Sequence, residues 1–199
     1  MKYYFEGYEI LTPFSITSNE PMFDADTINL KKQRASQNAQ RWELSFNIAT
    51  NDPTDILVNS LLNFDQSKTM IMPQLTSAVE RLSLPASQLV SSTATSGASY
   101  VAVNAAGVNG ILPKGYFIKF GDHSKIYLVT SDVDFSLSST TVNVSIYPKL
   151  RQNVSSGTFM MINNSVTLTY FREINDLRGI RYDDGILASA GTINIVEAV

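Results

Sequence analysis

Residues 41–48, RWELSFNI, alternate without a break: Trp42, Leu44, Phe46 and Ile48 are apolar, while Arg41, Glu43, Ser45 and Asn47 are polar. Successive side chains of a strand point to opposite faces, so this pattern gives one apolar and one polar face, whereas a helix would scatter both sets around its axis. A half-buried strand needs neighbours for its backbone groups and a second layer over its apolar side. The stretch therefore commits the chain to a sheet with an interior. Only 17% of residues are charged and 10% are aromatic, with Ser, Thr and Asn abundant, which suits many short strands and turns. The predicted class is all-β with one short helix.

That helix is expected at 53–64. Asp52 can cap it, Pro53 fits its first turn, Asp55 faces its N-terminus, and Leu57, Leu61 and Phe64 recur at helical spacing. Ahead of the alternating strand, Ile28 and Leu30 end another strand, and the KKQR run falls on a loop or an exposed edge. TMIMPQ, 69–74, reads as a short buried strand stopped by Pro73. Beyond Arg81 the composition turns to Ser, Ala, Thr, Asn and Gly, with only 99–103 strand-like up to residue 110. Five short strands follow from this region on, SYVAV (99–103), YFIKF (116–120), KIYLV (125–129), VNVSIY (142–147) and TFMMI (158–162), a spacing that can close into a small barrel. Alternation resumes at Val166, Leu168 and Tyr170, and TINIV near the end is a strand expected to return to the first sheet. Residues 82–164 carry five Lys or Arg and three Asp or Glu, against ten and fifteen in the remainder. Pattern and charge together predict residues 82–164 as a domain inserted into a discontinuous β-domain of 1–81 plus 165–199.

Little in the chain points to chemistry. His123, the single histidine, lies between Asp122 and Ser124, but three neighbours in a tight turn point in different directions, and Gly121, Asp122 and Ser124 are ordinary turn residues. With no cysteine, neither disulfides nor thiolate sites exist. Asp183-Asp184-Gly185 offers oxygen ligands, yet Asp-Gly between strand-like runs reads as a hairpin turn. No phosphate-binding glycine loop occurs, and nothing singles out a pair of carboxylates. The expectation is a non-enzyme with no cofactor and no metal. A net charge of −3 gives no basic field for nucleic acid, and no apolar run reaches the roughly 18 to 20 residues that cross a bilayer. MKYYFEGYEI has acidic residues and no continuous apolar core, so no secretory signal and no membrane insertion are expected.

LPKGYFIKF (112–120), HSKIYLVTS (123–131) and VNVSIYPKL (142–150), in the order set by RWELSF, a short helix and MIMPQ before them, carry a family likeness. The chain resembles the distal tail proteins of long-tailed bacteriophages, in the branch where a β-sandwich carries an inserted OB-like barrel. The resemblance implies a virion protein forming a homohexameric ring between the tail tube and the tip, hub or baseplate proteins, with DNA passing through it without specific binding. On that reading Lys31, Lys32 and Arg34, with Arg172, Arg178 and Arg181, become polar contacts between protomers or to the tube. Tyr116, Tyr127 and Tyr147 are candidates for an exposed glycan platform, although alternation sends at least some of them to the core. The alternative function is a carbohydrate-binding module of a tail tip; a glycan hydrolase is the third. The turn reading of His123 predicts that His123→Ala leaves assembly and infectivity close to unchanged, and that a charge at Ile118 or Leu128 unfolds the barrel.

Overall fold

The structure is a computed structural model that describes residues 2–26, 32–36, 39–49, 65–75, 84–85, 87–137, 140–173, 181–183, 186–189 and 192–199. The helix expected at 53–64 lies outside them. The regular secondary structure among them is nearly all strand. In chain order these are β1 (Tyr4–Phe5), β2 (Tyr8–Asn19), β3 (Met22–Asp26), β4 (Lys32–Ser36), β5 (Arg41–Ala49), β6 (Lys68–Ile71), β7 (Ser87–Leu89), β8 (Tyr100–Asn104) and β9 (Ile111–Leu112). They continue with β10 (Phe117–Phe120), β11 (Ile126–Val129), β12 (Val133–Asp134), β13 (Thr141–Tyr147), β14 (Phe159–Met161), β15 (Thr167–Arg172), β16 (Arg181–Asp183), β17 (Ile186–Ser189) and β18 (Ile193–Glu197). The chain divides into two compact units, one of Ile71–Leu168 and one of Lys2–Met70 with Thr169–Val199.

The discontinuous unit is built on a six-stranded sheet in the order β1-β2-β5-β18-β15-β6. β5 is a central strand, and its alternation sets the register: Leu44 pairs with Ile16 on one side and Ile195 on the other, and Phe46 pairs with Ile193. Trp42, Leu44 and Phe46 are buried, as are Ile193 and Ile195, whereas Ile48 near the strand end is half-buried. Phe5 packs edge-on against Phe46 with ring centres 5.1 Å apart and tilts over Tyr170 at 5.5 Å. β2 loses register with β5 between Leu11 and Ser15, around Pro13, which has no N–H to give the ladder. Glu197 is buried in β18, and its Oε2 accepts the Trp42 N–H at 3.1 Å. Two further ribbons belong to this unit, β3 with β4 and β16 with β17. Asp183 pairs with Ile186, the closure a two-residue hairpin turn requires, while residues 184 and 185 lie outside the described set.

The contiguous unit is a six-stranded sheet, β7-β14-β10-β11-β13-β8, curled until its two edges meet. Val90 bridges Val103, and the Ser91 N–H donates to Ala102 O at 2.9 Å, so β7 and β8 join the ends. Six strands contribute where the sequence suggested five; β7 is the addition. Inside lie Val101 and Val103, Ile118 and Phe120, Tyr127 and Val129, Val144 and Ile146, and Met160, the inward alternate residues of five strands. Gln74 finishes one buried length of ladder that β14 does not reach: its Oε1 accepts the Phe117 N–H at 2.8 Å, and its Nε2 donates to Phe117 O at 3.2 Å. A side-chain amide here does the work of a strand neighbour.

Candidate functional site

The Asp-His-Ser run closes the turn from β10 to β11, with the His123 N–H donating to Phe120 O. Ser124 is exposed, but His123 is buried, which a surface turn did not lead one to expect. Its Nε2 lies 3.3 Å from Asn153 O and its Nδ1 3.0 Å from the Tyr127 hydroxyl. A carbonyl cannot donate, so Nε2 carries the proton and Nδ1 accepts from Tyr127, whose oxygen in turn accepts the Arg151 N–H at 3.3 Å. Both ring nitrogens are thus committed to structure. Asp122 stands 3.7 Å from Nε2, but its Oδ2 accepts from the Thr158 hydroxyl and its backbone oxygen accepts from Gln152 Nε2. The ring also meets Phe120 edge-on at 5.8 Å. The arrangement staples the turn, β11 and the segment at 151–153 to one another; it holds no base poised on a nucleophile. Its burial gives His123 a structural part in the turn.

The exposed tyrosine platform is corrected in favour of the core for two of its three residues. Tyr116 and Tyr127 are fully buried in the barrel interior, and Tyr147 is half-buried, because alternation on their strands directs two of the three rings inward. The barrel's exposed aromatics are Tyr100 and Phe159 instead. Phe159 was concealed in the sequence by the apolar run FMM, of which only Met160 faces in.

The six nominated cations do not share an element. Lys31 and Arg178 lie outside the described residues. Lys32 and Arg34 are on β4, where the register sets them opposite Asp26 and Asp24. Arg172 is half-buried in β15, opposite Ile195, and Arg181 opens β16 opposite Ser189. A shallow groove on the polar side of the discontinuous unit's sheet is lined by Ser15, Thr17, Glu43, Ser45, Glu173 and Asn194. Glu43 Oε1 is already engaged, accepting from Arg41 Nε at 2.9 Å and Asn19 Nδ2 at 2.8 Å. Among the described residues no three His, Asp or Glu side chains converge on a point, and no helix is long and apolar enough to cross a membrane. Compared with protein-family models and with curated proteins, the chain matches none.

Proposed function

We propose that the chain is a structural subunit of a phage tail, a ring protein of the distal tail or baseplate hub that joins the tube to the adsorption apparatus. The observation that carries this reading is the β3–β4 ribbon. β2 and β5 pair as far as Asn19 with Arg41, and the ribbon between them continues from Met22 with Ser36 to Asp26 with Lys32 as a separate two-stranded sheet. A two-stranded ribbon is marginal alone and gains most when laid on another surface. Its register sets Asp24 opposite Arg34 and Asp26 opposite Lys32, and near its base Phe23 is 67% exposed. A ribbon with an apolar anchor on one face and opposite charges in register on the other suits association with a second copy, and a contact whose two surfaces differ makes a ring where its rotation closes. The net charge of −3 per copy suits a passage for DNA that must not adhere.

Mass measurement and electron microscopy of the purified chain test the reading. Rings of six copies are expected, and Phe23→Asp is expected to leave monomers with an unchanged circular-dichroism spectrum. A chain that stays monomeric at high concentration and is missing from purified virions overturns it.

A further inference from the structure

The loop from β8 to β9 holds the one Asn-Gly step of the chain, Asn109-Gly110. A turn from Ala105 to Val108, closed by the Val108 N–H on Ala105 O at 3.1 Å, leads to Asn109, which is exposed. Its side-chain amide bonds to nothing among the described residues, and neither does the Gly110 N–H, although Gly110 O accepts the Phe135 N–H at 2.9 Å. Gly110 has no Cβ and sits at a φ of +132°, a main-chain setting open to glycine, so nothing on residue 110 itself shields its nitrogen. Two other asparagines of this unit are held differently. Asn104 Oδ1 accepts the Ala106 N–H at 2.9 Å, and the nitrogen that follows it, on Ala105, donates to Thr140 O at 2.9 Å. Asn153 Oδ1 accepts the Ser96 N–H at 2.8 Å, and the Val154 N–H donates to Ala94 O at 2.9 Å.

We infer that Asn109 is a site of spontaneous modification, at which the Gly110 nitrogen closes on the Asn109 side chain. The nitrogen gives up its proton to solvent and attacks Cγ; the N–Cγ bond forms, the Cγ–Nδ2 bond breaks, and Nδ2 takes a proton and leaves as ammonia. Water then opens the cyclic imide at either carbonyl. Opening at one restores the ordinary main chain with an aspartate, and opening at the other leaves an isoaspartate whose main chain runs through Cβ and Cγ. Each route consumes water and releases ammonia, with no oxidant and no reductant. The step needs an unbonded amide and an unbonded nitrogen together, and Asn104 and Asn153 offer neither. An isoaspartate inserts a methylene just ahead of Gly110, whose carbonyl ties down Phe135 of the barrel core, and of β9, where Ile111 pairs with Asp134 of β12. The modified chain therefore holds β9 and β12 less firmly. The site stands apart from the ring reading, since it needs neither a second copy nor a ligand.

The test is incubation of the folded chain in mildly alkaline buffer, followed over time by peptide mapping in the mass spectrometer, with electron-transfer fragmentation to tell isoaspartate from aspartate. Asn109 is expected to convert first, to both products, and about tenfold or more faster than Asn104 and Asn153, which must first open locally. In strong denaturant that opening is already complete, so Asn104 and Asn153 should speed up while Asn109 keeps nearly its folded rate. Asn109→Gln, a change on an exposed side chain, is expected to remove the fast conversion and leave the circular-dichroism spectrum unchanged. The modified fraction, separated on anion exchange by the charge it gains, should unfold at a lower denaturant midpoint than the parent chain. An Asn109 that keeps its amide while Asn104 or Asn153 converts overturns the site. So does an Asn109 that is protected in the folded chain and released by denaturant. A modified fraction with the parent's midpoint overturns the effect on β9 and β12.

Discussion

At the scale of single residues, the chain's polar interior is small and specific. His123→Ala removes one partner of the Tyr127 hydroxyl and a donor to Asn153 O, and leaves a void beside Phe120. Unsatisfied buried groups and a cavity together cost about 2–4 kcal/mol, which chemical denaturation of the variant would register as a lower midpoint. A midpoint within error of the wild type would mean that the hydrogen-bond chain contributes nothing. Tyr170 gives a pH-dependent counterpart in the other unit. Burial, then the neighbouring Glu6 carboxylate 3.3 Å from its hydroxyl, pushes its pKa far above the usual tyrosine value. The fold thus favours the neutral phenol, so this contribution is complete below about pH 10, where an unfolded tyrosine begins to ionise, and is lost as pH rises beyond it. Denaturation midpoints followed from pH 8 to 11 should fall more steeply for the wild type than for Tyr170→Phe; parallel curves would exclude Tyr170 as a source of alkaline sensitivity.

At the scale of elements, alternation decides which substitutions matter. Ile118 and Tyr127 are cross-strand partners, both in the barrel core, while Leu128 pairs with Phe117 and Tyr147 and is only half-buried. Ile118→Asp puts an unpaired carboxylate into the interior and should abolish the barrel's cooperative unfolding transition. Leu128→Asp, at a half-buried position, should cost no more than about 1–2 kcal/mol. Equal losses at both positions would show that the sides of β11 had been misassigned. The same rule explains what could be read from the sequence. β5 was legible because Trp42, Leu44 and Phe46 face the core in strict alternation, and the strands at 99–103, 116–120, 125–129, 142–147 and 158–162 were legible for similar reasons. β7 was not, because its pattern is inverted: the polar Gln88 is the buried residue and the apolar Leu89 the exposed one. The contacts of His123 and Gln74 were not legible for a different reason. Their partners, at 153 and 117, lie 30 and 43 residues away, and no local pattern reports contacts at that range.

At the scale of the whole molecule, the order of strands along the chain separates two folding problems. Every strand of the curled sheet falls between Ser87 and Met161, so it can be completed from one continuous segment. The other sheet places β18, at Ile193–Glu197, between β5 and β15, which leaves its centre open until the last strand arrives. Without β18, the partners of Leu44 and Phe46 at Ile195 and Ile193 are missing, and the Trp42 N–H loses the Glu197 carboxylate. A fragment of residues 71–168 should therefore fold alone, since it retains the Gln74 bonds to Phe117 and the Met72 N–H to Val166 O bond beside the closed barrel. A chain lacking residues 193–199 should keep that unit's unfolding transition and lose the other. Dispersed amide resonances from the fragment, matched by one surviving transition in the truncated chain, are the expected pair of results. A collapsed spectrum from the fragment would show that the barrel depends on the sheet unit for its stability, because the contiguous segment contains every strand pairing of the barrel.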